Sequence, residues 1–256
     1  MSWAARRQAT YVSGVLIFFG ALIAIPAAYW YFNIQETCFD GIQNQGETAV
    51  DKGGPCKLLD ERTLAPHAIL WTRPFSVRDG SYSAVAYVEN PNESAGVTIA
   101  PYRFRLYDDR NVLVAERTGS TYIMPGAVTP VYEGAIDTGS RTVARAYFEF
   151  TAPLVWERLY DATRPVTIAA KDMRDPGTSP RLSAFVENTA VSQYRDVEFV
   201  AVVFDTAGNA FAASATIVPI LEAGDRKEIV FTWPDPFQYL PGRTDIIPLL
   251  PPRDRE

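Results

Sequence analysis

The chain is poor in the residues from which most catalytic sites are built. Its 256 residues include one histidine, His67, and two cysteines, Cys38 and Cys56. That set is too small for a zinc centre once the cysteines are spent on each other. A nucleophile–histidine–acid arrangement has only His67 to draw on, and no G-x-S-x-G surrounds a serine. Gly53-Gly54 lacks the strand, the helix and the Lys-Ser/Thr pair of a phosphate loop. His67, beside Pro66 at the start of a β-rich pattern, reads as a domain-edge residue. Basic residues are also scarce: 24 Lys and Arg stand against 30 Asp and Glu, for a formal net charge of −6. Without Arg6 and Arg7 the remainder carries about −8, which disfavours nucleic acid and anionic membrane surfaces as partners. The residues indicate no enzyme, no cofactor other than an ion considered below, and no small-molecule substrate. A carboxylate pair stays open among the 30 acids, but nothing singles one out.

One long apolar run stands out against that background. Tyr11 to Phe32 holds no charged residue over 22 positions. At about 1.5 Å per residue such a helix reaches roughly 33 Å, enough to cross a bilayer's hydrocarbon core. Arg6 and Arg7 precede it and the next basic residue is Lys52. The positive-inside rule therefore predicts a single-pass anchor with residues 1–10 in the cytoplasm, the span at 11–32, and the rest extracytoplasmic. Tyr29, Trp30, Tyr31 and Phe32 mark the exit, where aromatic side chains favour the interface. A cleaved signal sequence has a shorter apolar region and a small-residue site, and Ile25-Pro26-Ala27 is a poor one. A buried core helix is disfavoured by the length and by Gly14, Gly20 and Pro26.

Residues 33–64 form a membrane-proximal segment dominated by Cys38–Cys56, CFDGIQNQGETAVDKGGPC. Its glycines and Pro55 call for tight turns, and it has too few apolar side chains for a core of its own. A disulfide between the two cysteines would close it and contribute about 3 kcal/mol on the loop-entropy model. Asp40, Asn44, Glu47 and Asp51 place oxygen ligands on one short loop, a set that suits calcium. A solvated polar turn without metal is the other reading. The segment resembles a motif of bacterial surface proteins, C-x-D-G-x-x-N-x-x-E-x-x-x-D-C-G-G-x-C, with Lys52 in place of the middle cysteine. That resemblance implies a surface setting.

The rest reads as β. Tyr102, Phe104 and Leu106 alternate with Arg103 and Arg105, predicting a half-buried strand, and Ala84, Ala86 and Val88 share one face of another. Landmarks then recur. Val88-Glu89-Asn90 returns as Val186-Glu187-Asn188, 98 residues on; Leu106-Tyr107-Asp108 returns as Val203-Phe204-Asp205, 97 on; Pro125-Gly126 returns as Ala223-Gly224, 98 on. Near-constant spacing predicts an all-β chain of two tandem immunoglobulin-like sandwiches, at 65–160 and 161–235, with a Pro-rich tail at 236–256 that disfavours regular structure. Phe104-Arg105-Leu106-Tyr107-Asp108 spells F-x-L-Y-D, and the first copy resembles the FxLYD domain family; Ala201 to Asp205 of the second keeps only size and hydrophobicity. That family implies an exported sandwich and no chemistry. The expected function is protein binding, adhesion or envelope assembly at the cell surface, with the Asn90–Gly96 and Asn188–Arg195 loops as candidate contacts. A structural spacer, or an accessory hydrolase using a carboxylate pair, is the alternative.

Overall fold

A computed structural model describes residues 3–32, 36–159 and 165–250. The chain separates into two compact units, Met1–Pro55 and Cys56–Glu256. The first holds the one helix long and apolar enough to cross a membrane among the described residues: α1, Trp3–Phe32, with the apolar stretch at Arg6–Tyr29. Pro26 lies inside it, and its apolar side chains, Leu16, Ile17, Phe18 and Ile23 among them, are exposed. A helix apolar all round with no protein against it has the surface that lipid, not water, would solvate.

The second unit is antiparallel β throughout. The first sandwich contains β1 (Ala68–Arg78), β2 (Ser81–Asn90), β3 (Ala95–Tyr107), β4 (Leu113–Ile123), β5 (Ala127–Asp137), β6 (Arg145–Phe150) and the two-residue β7 (Glu157–Arg158). Its back sheet has the order β1-β2-β5 and its front sheet β4-β3-β6, with β7 on β3. The second contains β8 (Val166–Arg174), β9 (Arg181–Asn188), β10 (Tyr194–Phe204), β11 (Ala210–Leu221), β12 (Arg226–Thr232) and β13 (Arg243–Leu249). Its back sheet runs β12-β9-β8 and its front sheet β11-β10-β13, the same order of equivalent strands. The expected boundary at Tyr160/Asp161 lies outside the described residues.

Each sandwich has its own core. The first is built from Ala84, Ala86, Val88, Phe104, Leu106, Ile123 and Ile136, all fully or almost fully buried. The second uses Leu182, Ala184, Val186, Val197, Phe199, Ala201, Val203 and Phe231. The alternation expected for β3 is present: Tyr102, Phe104 and Leu106 point in, and Arg103 and Arg105 stay partly exposed. For β2 the one-sided expectation was too small. Val85 and Tyr87, on its opposite face, are buried as well.

The reason is a third core, Phe75, Val85, Tyr87, Val200, Val202, Phe204, Ala210, Ala213 and Leu249, formed where the first sandwich's back sheet packs on the second's front sheet. Equivalent faces are not used. At a spacing of 97, Arg103, Arg105 and Tyr107 correspond to Val200, Val202 and Phe204; at 98, Val85 and Tyr87 correspond to Ser183 and Phe185. Where the first front sheet faces outward it carries an arginine–glutamate network, Arg103 and Arg105 with Glu116 and Glu149. Where the second front sheet is covered, the same positions are apolar, because an unpaired charge there would be buried without compensation.

The Pro-rich tail departs from expectation. β13 pairs with β10 from Glu198↔Leu249 to Phe204↔Arg243, so the second sandwich runs past residue 235 to Leu249. Pro248 is tolerated because β13 is an edge strand, where a missing N–H can fall outside the ladder.

Candidate functional site

The cysteine-bounded segment is a set of turns held by its own carboxylates. Cys38 and Cys56 are disulfide-bonded, and neither is free to act as a thiolate. Gly53 and Gly54 have φ of +79° and +52°; a Cβ at Gly53 would sit 2.3 Å from Thr48 Oγ1, and one at Gly54 would sit 2.9 Å from the Gly46 carbonyl. No other residue fits either place. The four predicted ligands belong to one network of turn hydrogen bonds, but among the described residues only Glu47 of the four lies in a cluster of potential ligand atoms, with Cys38 and Cys56. Asp40 accepts N–H bonds from Thr37 (3.1 Å) and Ile42 (2.8 Å), and the Asn44 amide donates to it at 3.0 Å. Glu47 is buried and accepts from the backbone of Asp51 (3.0 Å), while Asp51 accepts from Gly41 (3.2 Å). The Asn44 bond, followed by those from Thr37 and Ile42, holds the Asp40 carboxyl below the usual range. These oxygens already do the work of caps for a chain too short to form ladders. An ion here would have to share them with N–H donors; Asn44 Oδ1 alone is buried without a hydrogen-bond partner.

The asparagines that head the two expected contact loops are latches. Asn90 donates to the carbonyls of Ala95 (2.7 Å) and Met124 (3.0 Å) and accepts from Asn92 N–H (3.1 Å). Asn188 donates to Ser192 (2.9 Å) and Leu221 (3.0 Å) and accepts from Ala190 N–H (3.0 Å). Asp108 and Asp205 repeat a second device, each accepting two backbone N–H bonds in its own turn: Asp108 from Arg110 and Val112, Asp205 from Ala207 and Asn209. In both, the backbone bond from the residue four positions on is the main cause of a lowered carboxyl pKa. The shared residue types therefore maintain the fold. His67 packs near Phe150 and Trp156, and burial lowers its pKa, as suits a neutral edge residue.

One concavity has no counterpart among the sequence expectations. A groove of about 630 Å³ runs between the sandwiches, lined by Thr72–Val77 of β1, residues 143–147 leading into β6, Ala210–Ala212 of β11, and Trp233 with 235–239. Arg73 spans it, donating to the Ala210 carbonyl at 3.1 Å. The 233–239 segment is fixed by Trp233 N–H to Pro180 O (3.1 Å) and Phe237 N–H to Pro176 O (2.8 Å). Its rings stack edge to face, Phe237 on Trp233 and on Phe211, both at 5.1 Å. Tyr147 and Tyr239 remain more than half exposed. One signal for this region lay in the sequence: Pro234-Asp235-Pro236-Phe237-Gln238-Tyr239 is an aromatic, proline-punctuated loop, a composition that suits recognition surfaces.

A second feature sits on the seam itself. Glu133 of β5 accepts from Tyr102 Oη at 2.7 Å, and Glu198 of β10 lies close enough to sense Glu133. Burial first, and the Glu133 charge second, push the Glu198 carboxyl above its usual range. Tyr122 and Tyr132 are also raised, chiefly by burial and then, for Tyr122, by Glu198. Neither glutamate lines the groove.

No family model matches the chain, and no curated protein matches it. Among solved structures it is similar to Bacteroides uniformis beta-glucuronidase at 15% identity, covering 69% of this chain and 22% of that one, with a TM-score of 0.20. Bacteroides uniformis beta-glucuronidase 2 bound to cyclophellitol-6-carboxylate aziridine gives 13%, 69%, 22% and 0.20. Its calcium binding mutant gives 12%, 71%, 24% and 0.20. The chain spans less than a quarter of these enzymes, and similarity this slight carries no argument about this chain.

Proposed function

We propose that this chain is a non-enzymatic, membrane-anchored extracytoplasmic protein whose paired sandwiches bind another protein at the cell surface. The observation that carries the reading is the groove between two sandwiches locked together by a shared apolar core. A preformed concavity with exposed aromatics on rigid elements lowers the entropy lost on binding. The exposed apolar helix and the Arg6/Arg7 bias support an anchor with its N-terminus in the cytoplasm. The FxLYD and cysteine-motif resemblances agree with an exported setting. Protease added to intact cells should remove the β region; digestion only after lysis would refute the topology. Crosslinking the full chain in its host's envelope should recover one partner reproducibly, and Tyr239→Ala with Arg145→Glu should abolish recovery. Recovery unchanged by those substitutions would refute the groove as the binding surface.

An accessory hydrolase has one observation in its favour, the raised carboxyl of Glu198 beside Glu133. It predicts substrate turnover lost in Glu198→Gln.

A further inference from the structure

The first sandwich has seven strands, counting the two-residue β7 on β3, the number of a constant-type immunoglobulin domain; the second has six, three per sheet. Among the described residues, β6 in the first sandwich and β13 in the second are hydrogen-bonded on one flank only, to β3 and to β10, which leaves a side open beside each. We propose that the groove takes an extended peptide segment of a partner protein, which adds to β6 as a further strand. The inference rests on reading the groove as the binding site.

The two vacant sides differ in ways that favour the first. In the second sandwich Lys171 reaches over to the Thr244 carbonyl at 3.0 Å, and Pro248 removes a donor from β13. Lysine and proline on an edge strand are devices that block strand addition. β6, RAYFEF, carries neither. Its stretch lining the groove, Arg145–Tyr147, has Ala146 in the core and Arg145 and Tyr147 outward, so its backbone edge is presented beside side chains that can grip. β1, the neighbouring edge, is interrupted by Pro74. The β11 edge already has its Ala210 carbonyl occupied by Arg73. Among the described edges of the groove, that leaves β6 with the N–H and C=O groups of alternate residues to offer.

Strand addition supplies affinity through main-chain bonds and specificity through alternate side chains. Tyr147 and Tyr239 both line the groove and are more than half exposed, aromatic surface for an apolar residue. Two arginines, Arg73 and Arg145, against one acid, Asp235, give the groove a positive balance in an otherwise acidic molecule, so an acidic residue in the guest is favoured. The chain's own last residues, Pro-Pro-Arg-Asp-Arg-Glu, are a poor guest: two prolines lack N–H, and two arginines would meet Arg145.

The test pans a phage-displayed library of random peptides of about nine residues, long enough for one strand, on the full chain in detergent micelles. Enriched peptides should alternate apolar and polar residues and carry at least one acid. Synthetic copies should slow amide exchange within Arg145–Phe148. Methylating alternate backbone nitrogens should weaken binding roughly ten-fold, as for a bond or two lost. Arg145→Glu and Tyr239→Ala, both exposed substitutions checked by unchanged melting, should weaken it comparably. Equal binding of the methylated peptides, or no protection in β6, overturns strand addition. A parallel arm titrates a panel of linear hexasaccharides. A saccharide that binds the parent and not Tyr239→Ala would leave the groove reading standing and overturn the peptide. Silence in both arms overturns both.

Discussion

Restoring the first copy's charge to the second is the sharpest probe of how the sandwiches meet. Val202 corresponds to Arg105 at the 97-residue spacing and is fully buried in the shared core. Val202→Arg would place a cation among Phe75, Val85, Tyr87 and Leu249, where the acid opposite it on β13, Asp245, already pairs with Arg243. An uncompensated buried charge costs about 3–5 kcal/mol. The lost valine burial adds about 1.5 kcal/mol or more. For a folded unit of this size each kcal/mol shifts the melting midpoint by about 2–4 °C. The charge term alone therefore predicts a fall of roughly 6–20 °C. The reverse change, Arg105→Val, removes a surface ion pair and should move stability by only about 0.5 kcal/mol. Differential scanning calorimetry of both variants in the full chain reads the contrast. A Val202→Arg midpoint within about 2 °C of the parent would mean the β10 face is solvated, and would refute the stacked arrangement.

Glu198 makes the seam sensitive to pH. Its carboxyl is raised by burial and by Glu133, and it faces Glu133 and Tyr132 on β5, Tyr122 on β4 and Tyr102 on β3. The folded state thus holds the proton more tightly than the unfolded one. The resulting stability is complete below about pH 4.3 and is lost as pH rises through the raised value. Urea midpoints should fall over that window in the parent and stay flat in Glu198→Gln; parallel curves would remove the pair as the cause. Asn188→Ala leaves the carbonyls of Ser192 and Leu221 without their donor and should cost about 1–3 kcal/mol per the usual penalty for an orphaned buried group, with Asn90→Ala matching it. Chemical denaturation giving under about 0.5 kcal/mol for both would reduce the latches to decoration. In the cysteine-bounded segment, thiol labelling of the full chain purified without reductant should find neither Cys38 nor Cys56 reactive. Calorimetry of calcium into an oxidised peptide of residues 36–58 decides the ion: heat lost in Asp40→Asn supports a site, and no heat at millimolar calcium removes it.

Several elements were legible because their cause is local. A charge-free run of 22 residues makes a helix long and apolar enough to cross a membrane. Alternation at Tyr102–Leu106 follows from the two-residue period of a strand. Asn90, Asn188, Asp108 and Asp205 bond backbone within a few residues of themselves, so their recurrence at 97–98 marked the same turns twice. The carboxylates of Asp40, Glu47 and Asp51 accept bonds inside their own turns and the Asn44 amide donates one, a use that composition does not separate from ion binding. Even the docking left a trace: Val197 to Phe204, VEFVAVVF, is apolar almost without break, which is how a strand covered on both faces reads.

What no local pattern determined was which faces meet. Val200 and Val202 contact residues more than a hundred positions earlier, and Glu133 and Glu198 are 65 apart in sequence on different sandwiches. The period of a strand says that two faces exist; only the packed chain says whether the second is met by water or by another sheet. The same holds for β13, where the proline content of residues 236–256 argued against a strand and the unpaired edge of β10 supplied one. The groove, too, exists only because two sandwiches dock through unlike faces and leave β6 open beside the 233–239 loop.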